Sequence, residues 1–215
     1  MSETLELVGN LKEIGAEFDK CRAELDRRFE EARGPLLARI ADRLKETLAD
    51  GNLDVFEAEQ AYCDLIDCQW KMGHKEYGDR IEENIRTILK NIFGETTVRI
   101  EKNVADIIVV KGNKKLAIEV KSFIDTSEKS RQGLKTLAGK KIEVEGRNGY
   151  KKYLVFAHNA CDKKVIDRCL GADGQWVILL AYCKYFSEST TPIWKKQAGY
   201  SPLKKLAGVV NEFLK

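Results

Sequence analysis

Apolar residues recur at helical spacing through the first third of the chain. They form one stripe along residues 2–48, in which the Gly34-Pro35 pair predicts a break or a kink. A turn signal at 50–52 is followed by a further amphipathic helix, predicted over 53–72. We therefore expect residues 1–72 to form a helical extension, which either covers a core or serves as a dimerisation arm.

The pattern changes at Gly73. Residues 75–92 predict a strongly amphipathic helix, and short apolar runs typical of strands follow it. The predicted strands are 96–100, 105–110, 116–121, 153–157 and 176–182, and the later predicted helices are 127–142, 162–170 and 202–214. This order predicts an α/β domain over 73–215, with a mixed sheet flanked by helices, because a hairpin is followed by crossover connections.

The composition of the 215 residues, with 43% hydrophobic and 33% charged, is that of an ordinary globular protein. No apolar run approaches the length of a membrane-spanning helix, and the first residues lack the features of a secretory signal. The six cysteines contain no CxxC pair, so we interpret them as reduced. These features favour the cytoplasm of a prokaryotic or virus-infected cell and no membrane association.

Charge is distributed unevenly along the chain. Residues 1–72 carry 10 Lys or Arg against 17 Asp or Glu, whereas residues 73–215 carry 27 against 17. A basic domain attached to an acidic helical segment fits a module that binds a polyanion. A solvated, lysine-rich surface would give the same charge balance.

The most informative residues lie on two adjacent predicted strands. Asp106 begins the strand 105–110, and Glu119 and Lys121 lie on the strand after the tight turn. Alternation along a strand directs Glu119 and Lys121 to one face. A hairpin that places Asp106 beside Glu119 would bring the two carboxylates and the amine within about 5–8 Å of one another.

Two carboxylates at that separation repel one another unless a cation lies between them. A hard divalent ion that prefers oxygen ligands, Mg²⁺ or Mn²⁺, would suit the pair. A neighbouring lysine can then orient water and stabilise charge that develops on a phosphate. The alternative is an ordinary strand face that carries surface acids and a lysine.

The motif Ala105-Asp106 … Glu119-Val120-Lys121 resembles that of the PD-(D/E)XK nuclease superfamily, which includes restriction endonucleases and Holliday-junction resolvases. The resemblance covers about residues 75–183 and implies a restriction endonuclease-like sheet. It also implies that Asp106 and the glutamate of the ExK element bind Mg²⁺, and that Lys121 assists the attacking water. The segment Glu119-Val120-Lys121-Ser122-Phe123 is similar, in addition, to the excision-controlling factors of mobile elements.

The same resemblance implies two further catalytic residues. The helix segment Gly78-Asp79-Arg80-Ile81-Glu82 looks like the G-x-x-x-E helix of archaeal resolvases, which makes Glu82 a further metal ligand, with Glu83 as the alternative register. A polar residue often follows the ExK element on the next helix. Gln132 is the candidate for that role, with Lys135 as the second choice.

Basic residues follow the motif and could line a DNA cleft, since phosphate contacts supply much of the affinity for DNA. The candidates for DNA contact are Lys135, Lys140, Lys141, Lys151 and Lys152. The sequence thus predicts a Mg²⁺- or Mn²⁺-dependent deoxyribonuclease, expected as a homodimer because duplex cleavage usually requires two sites. Two alternatives remain open: a non-catalytic DNA-binding or recombination factor on the same fold, and a helical interaction module in which residues 1–72 are the active part.

Overall fold

A computed structural model describes the parts of the chain on which the following account rests. The described residues are 3–51, 53–73, 77–101, 103–121, 139–157, 177–179 and 201–215. By spatial compactness the chain divides into two units, Met1–Leu36 and Leu37–Lys215. The predicted functional boundary at residue 72 stays a prediction. The predicted helix 162–170 lies outside the described residues, as do 122–138 of the sequence, which contain most of the predicted helix 127–142.

Five helices are present in the described part of the chain. They are α1 (Glu3–Ala49), α2 (Phe56–Lys71), α3 (Tyr77–Phe93), α4 (139–145) and α5 (Pro202–Leu214). Among the described helices, none is long and apolar enough to cross a bilayer.

Helix α1 continues through Pro35, so the Gly34-Pro35 pair does not break it. Proline removes one helical hydrogen bond and crowds the preceding turn, which usually bends or ends a helix. Leu37, Ile40 and Leu44 directly after it are all about 1% exposed. Burial of this apolar stripe favours continuation of the helix at the cost of one hydrogen bond.

Five strands form one mixed sheet in the order β1-β2-β3-β4-β5 within the described residues. Their bounds are β1 (Val98–Glu101), β2 (Ala105–Lys111), β3 (Lys114–Lys121), β4 (Tyr150–Ala157) and β5 (Val177–Leu179). Strands β1 to β3 are antiparallel neighbours, whereas β4 is parallel to β3 and β5 is parallel to β4. The α/β class and the mixed, helix-flanked sheet are therefore confirmed, and the restriction endonuclease-like architecture stays a prediction.

Two glycines allow the turns at one end of the central strands. Gly112, with φ 56°, lies in the two-residue turn between β2 and β3, which requires a left-handed backbone. Gly149, with φ 87°, precedes β4, and a Cβ there would lie 2.8 Å from the Asn113 carbonyl oxygen. The Lys115 N–H donates to the Gly149 carbonyl at 2.7 Å. This close approach sets the start of the parallel pairing between β3 and β4.

The apolar face of α3 packs on the sheet as its period predicted. Ile81, Ile85, Ile88 and Leu89 are at most 2% exposed, and α3 contacts β1, β2 and β3. Helix α5 contacts β2 and β5 through a separate apolar stripe. The core therefore lies between these helices and the central strands, and it fixes the position of β2 and β3.

Candidate active site

The pairing of β2 with β3 brings the two acids of the motif together. The antiparallel register pairs Ile107 with Ile118, and continuing it by one residue places Asp106 opposite Glu119. Side chains of directly opposed residues lie on the same face of a sheet, and Lys121 lies two residues further on that face. The two strands therefore present both carboxylates and the amine to one side of the sheet.

Glu119 is only 5% exposed and is neutralised by two lysines. The Lys121 amine donates to its Oε1 at 2.5 Å, and the Lys140 amine donates to its Oε2 at 2.6 Å. Burial raises the pKa of Glu119, but the two lysine hydrogen bonds outweigh burial and hold that pKa below its usual value. Glu119 is therefore a charged carboxylate at neutral pH.

Asp106 has a different environment. Its Oδ2 accepts a hydrogen bond from the Val120 N–H at 2.7 Å, which ties β2 to β3 at the edge of the pairing. Burial raises the pKa of Asp106, and the nearby negative charge of Glu119 raises it further. The Val120 N–H, Lys121 and Lys140 lower that pKa but do not cancel the increase. Asp106 would therefore be stabilised by a cation at this place.

Helix α3 places Glu82 within electrostatic reach of this pair. Burial raises the pKa of Glu82 first, and the charge of Asp106 raises it further, although Arg86 opposes both. The Arg86 guanidinium forms an ion pair with the Glu82 carboxylate at 2.9 Å. Glu83, the alternative register, is also partly buried on α3. Glu82, the predicted third acid, thus has an ion-pair partner, Arg86, which sequence reasoning missed.

Tyr153 is a second residue that sequence reasoning missed. It pairs with Ala117 across the parallel β3–β4 register, and Val155 pairs with Glu119, so Tyr153 shares the face of Glu119. The residue is 0% exposed, and its hydroxyl lies near Glu119 without reaching hydrogen-bond geometry with any described residue. Burial, followed by the charges of Glu119 and Asp106, raises the pKa of Tyr153. Only the order of the strands would have revealed this position.

The other predicted site residues are distributed as follows. Gln132 and Lys135 lie outside the described residues. The Lys140 amine, predicted for DNA contact, donates to Glu119 at 2.6 Å, and the Lys141 amine pairs with Glu145 at 2.7 Å. Lys151 is exposed and Lys152 is partly exposed on β4. The prediction that Lys140 and its neighbours bind DNA is not tested by these contacts.

The oxygen donors of Asp106 and Glu119 suit a hard divalent ion. Within the described ranges, however, no group of three or more His, Cys, Asp or Glu side chains is arranged to hold a metal ion. Both oxygens of Glu119 accept lysine amines, so a cation would have to replace at least one of them. The fit to a divalent ion therefore concerns the pair Asp106 and Glu119 alone.

Comparison with known proteins adds no identification. No family model, curated protein or solved structure matches this chain.

Proposed function

We propose that this chain is a metal-dependent DNA endonuclease that hydrolyses phosphodiester bonds. The observation that carries the proposal is the meeting of Asp106, Glu119 and Lys121 on one face of two adjacent strands. Asp106 retains a raised pKa although Lys121 and Lys140 lie nearby, which is an environment that favours binding of a further cation. Lys121 and Lys140 both pair with Glu119, so a purely structural ion pair would not require the second acid, Asp106.

In this proposal Asp106 and Glu119 would hold Mg²⁺ or Mn²⁺, since carboxylates are the ligands that these ions prefer. The ion would supply Lewis acidity, which makes water a stronger nucleophile and offsets the charge of the phosphate. The Lys121 amine, directed to the same face, stabilises negative charge that develops on the phosphate. Glu82 has a raised pKa and is therefore suited to accept a proton at the edge of the site.

Lys140 has a place in the same proposal. Its amine shares Glu119 with Lys121, and it lies in the first turn of α4, the short helix before the β4 lysines. If Glu119 held a cation, the Lys140 amine that now donates to it would be available to pair with a DNA phosphate. Such an exchange would replace one ammonium group by a divalent ion, so it would add one positive charge near Glu119, which a DNA phosphate would offset.

The experiment that tests the proposal is nicking of supercoiled plasmid with Mg²⁺, Mn²⁺ or EDTA. We expect cleavage with the divalent ions only, and loss of at least about 100-fold in rate for Glu119→Gln and for Lys121→Met. The matched controls are Glu143→Gln and Lys114→Met, which change exposed residues outside the site. Equal rates for Glu119→Gln and Glu143→Gln would contradict the proposal.

A second candidate function is non-catalytic DNA binding on the same fold. The observation that favours it is that both oxygens of Glu119 are already paired with lysines, so this acid is balanced without a metal. Calorimetric titration with Mg²⁺, combined with fluorescence anisotropy on labelled duplex DNA, separates the two functions. DNA binding without Mg²⁺ heat and without nicking would support the non-catalytic factor.

A further inference from the structure

The N-terminal part of α1 carries a row of large apolar side chains in water. Ile14, Phe18 and Leu25 are 62%, 63% and 57% exposed, and Cys21, which lies between them in sequence, is also exposed. Isolated exposed apolar residues are common on protein surfaces, but a contiguous row usually marks an interaction surface. This row, Ile14, Phe18, Cys21 and Leu25, is called the α1 seam below.

The spacing of the α1 seam is that of a coiled coil. Successive members are four, three and four residues apart, which keeps them on one side of a helix when it pairs with another. In heptad terms Phe18 and Leu25 occupy a positions, and Ile14 and Cys21 occupy d positions. The helix is already formed along Glu3–Ala49, so pairing does not have to induce the helical conformation.

The charges beside the α1 seam select the partner and its direction. Glu17, directly before Phe18, occupies a g position. Arg22, directly after Cys21, occupies the e position of the following heptad. In a parallel, in-register pair, the g residue of one helix faces the e residue of the next heptad in the other. Glu17 of each copy would then face Arg22 of the other, and two-fold symmetry makes this contact twice.

An antiparallel pair of the same helices would place g residues against g residues. Three g positions of this segment are acidic, namely Glu17, Glu24 and Glu31. Glu24 and Glu31 already pair with Arg27 within their own helix, so what disfavours this direction is the loss of the two Glu17–Arg22 contacts. A second copy in parallel orientation is thus the occupant that fits both the apolar spacing and the charges.

We infer that the α1 seam pairs with the same seam of a second copy as a parallel, in-register, two-stranded coiled coil. The inference does not depend on the proposed nuclease activity, because it can be measured without DNA or metal. The seam covers only about two heptads, so the dimer dissociates on dilution.

The first test is sedimentation equilibrium of the full chain over a range of concentrations, without DNA or divalent ions. We expect a monomer–dimer equilibrium for the native chain and weakening of dimerisation by at least 10-fold in Phe18→Asp. Lys20→Asp, on the side of α1 away from the seam, is the matched control and should dimerise as the native chain does. Circular dichroism checks that all three remain equally helical. A monomeric native chain, or equal dimerisation of Phe18→Asp, would overturn the inference.

The second test is disulfide cross-linking, which reports direction. In a background in which Cys63, Cys68, Cys161, Cys169 and Cys183 are all replaced by serine, mild oxidation should link Cys21 to Cys21 between copies, and Cys21→Ser should abolish the link. Adding Arg28→Cys to the Cys21→Ser chain should restore it, because residue 28 is the next d position and faces itself only in a parallel, in-register pair. Cross-linking through residue 21 without cross-linking through residue 28 would indicate an antiparallel pair and contradict the inferred geometry.

Discussion

At the residue scale, the site combines acids with opposite electrostatic environments. The pKa of Asp106 is raised, mainly by burial, whereas lysine hydrogen bonds hold the pKa of Glu119 below its usual value. A carboxylate with a raised pKa destabilises the fold when charged, and one with a lowered pKa stabilises it. Functional sites often carry such unfavourable charges because their ligands neutralise them.

Asp106→Asn should therefore raise the free energy of unfolding at pH 7, measured by urea denaturation. The amide oxygen can still accept the Val120 N–H, while the penalty of the charged acid disappears. The gain in the free energy of unfolding is largest above the raised pKa that Asp106 has in the folded state, where the native side chain is charged. It vanishes as the pH falls below the unfolded-state pKa of about 3.9, because the native side chain is then neutral in both states. A gain that persists at pH 3, or a loss at pH 7, would contradict the assigned environment.

Glu119→Gln should have the opposite effect, because it leaves the Lys121 and Lys140 amines without their acceptor charge. We expect a loss of about 1–3 kcal/mol at pH 7. The loss should diminish as pH falls through the lowered folded-state pKa of Glu119, since the native carboxylate is then also neutral. Urea denaturation at pH 7 and at a series of lower pH values measures this decrease.

Tyr153 and Tyr150 provide a matched pair for the cost of an unpaired hydroxyl. The Tyr153 hydroxyl is buried without a hydrogen-bond partner in the described structure, whereas the Tyr150 hydroxyl donates to Glu101 at 2.5 Å. Tyr153→Phe should leave the free energy of unfolding unchanged or raise it, and Tyr150→Phe should lower it by about 0.5–1.5 kcal/mol. Equal losses in the two variants would indicate that Tyr153 has a partner.

At the element scale, the spacing of hydrophobic residues along the chain predicted the central strands and helices well. Alternation located β3 and the face that carries Glu119 and Lys121, and the isoleucine stripe located α3. The strand β4 was predicted from residue 153, but it begins at Tyr150 because its pairing with β3 extends through the charged pair Lys151 and Lys152. Local polarity is a weak guide where a neighbouring strand supplies the hydrogen bonds.

The partners inside the site could not be predicted from local pattern. Lys140 reaches Glu119 from a helix 21 residues further along the chain, and Tyr153 reaches it from a parallel strand. These contacts depend on strand order and on the path of the connection, neither of which leaves a periodic signal. The resemblance of the motif gave the acids and Lys121, and tertiary structure supplied their neighbours.

A prediction at this scale concerns how α5 is held. The buried Glu59 carboxylate on α2 accepts the Ser201 hydroxyl at 2.6 Å and the Leu203 N–H at 2.8 Å, where α5 begins. Glu59 thereby caps the N-terminus of α5 from a neighbouring helix, α2. It also places a negative charge at the positive end of the α5 dipole. Glu59→Ala should lower the free energy of unfolding by about 1–3 kcal/mol.

The measurement for Glu59 is urea denaturation with hydrogen exchange of the α5 amides. Glu57→Ala, an exposed acid on the same helix, is the control and should change stability by less than about 0.5 kcal/mol. Loss of protection in α5 together with lower stability in Glu59→Ala supports the capping role. Unchanged exchange in α5 would contradict it.

At the scale of the whole molecule, the chain combines an acidic segment with a basic one. Residues 1–72 have ten basic and 17 acidic side chains, and residues 73–215 have 27 basic and 17 acidic. A polyanion should therefore contact the later residues and avoid the earlier ones. The same division separates the proposed catalytic face from the α1 seam, so loss of dimerisation and loss of cleavage can be measured by different variants.

This charge division gives a prediction about DNA affinity and salt. Each phosphate contact releases counterions, so the logarithm of the binding constant falls linearly with the logarithm of salt concentration. Removing one contacting lysine should reduce that slope by about 1 and weaken binding uniformly across sequences. Lys151 is exposed on β4, the strand that pairs with β3, so Lys151→Gln should have this effect. Lys45→Gln, within the acidic segment, should leave the slope unchanged when both are measured by fluorescence anisotropy on duplex DNA. Equal slopes for the two variants would show that Lys151 does not contact the bound DNA and would contradict the prediction.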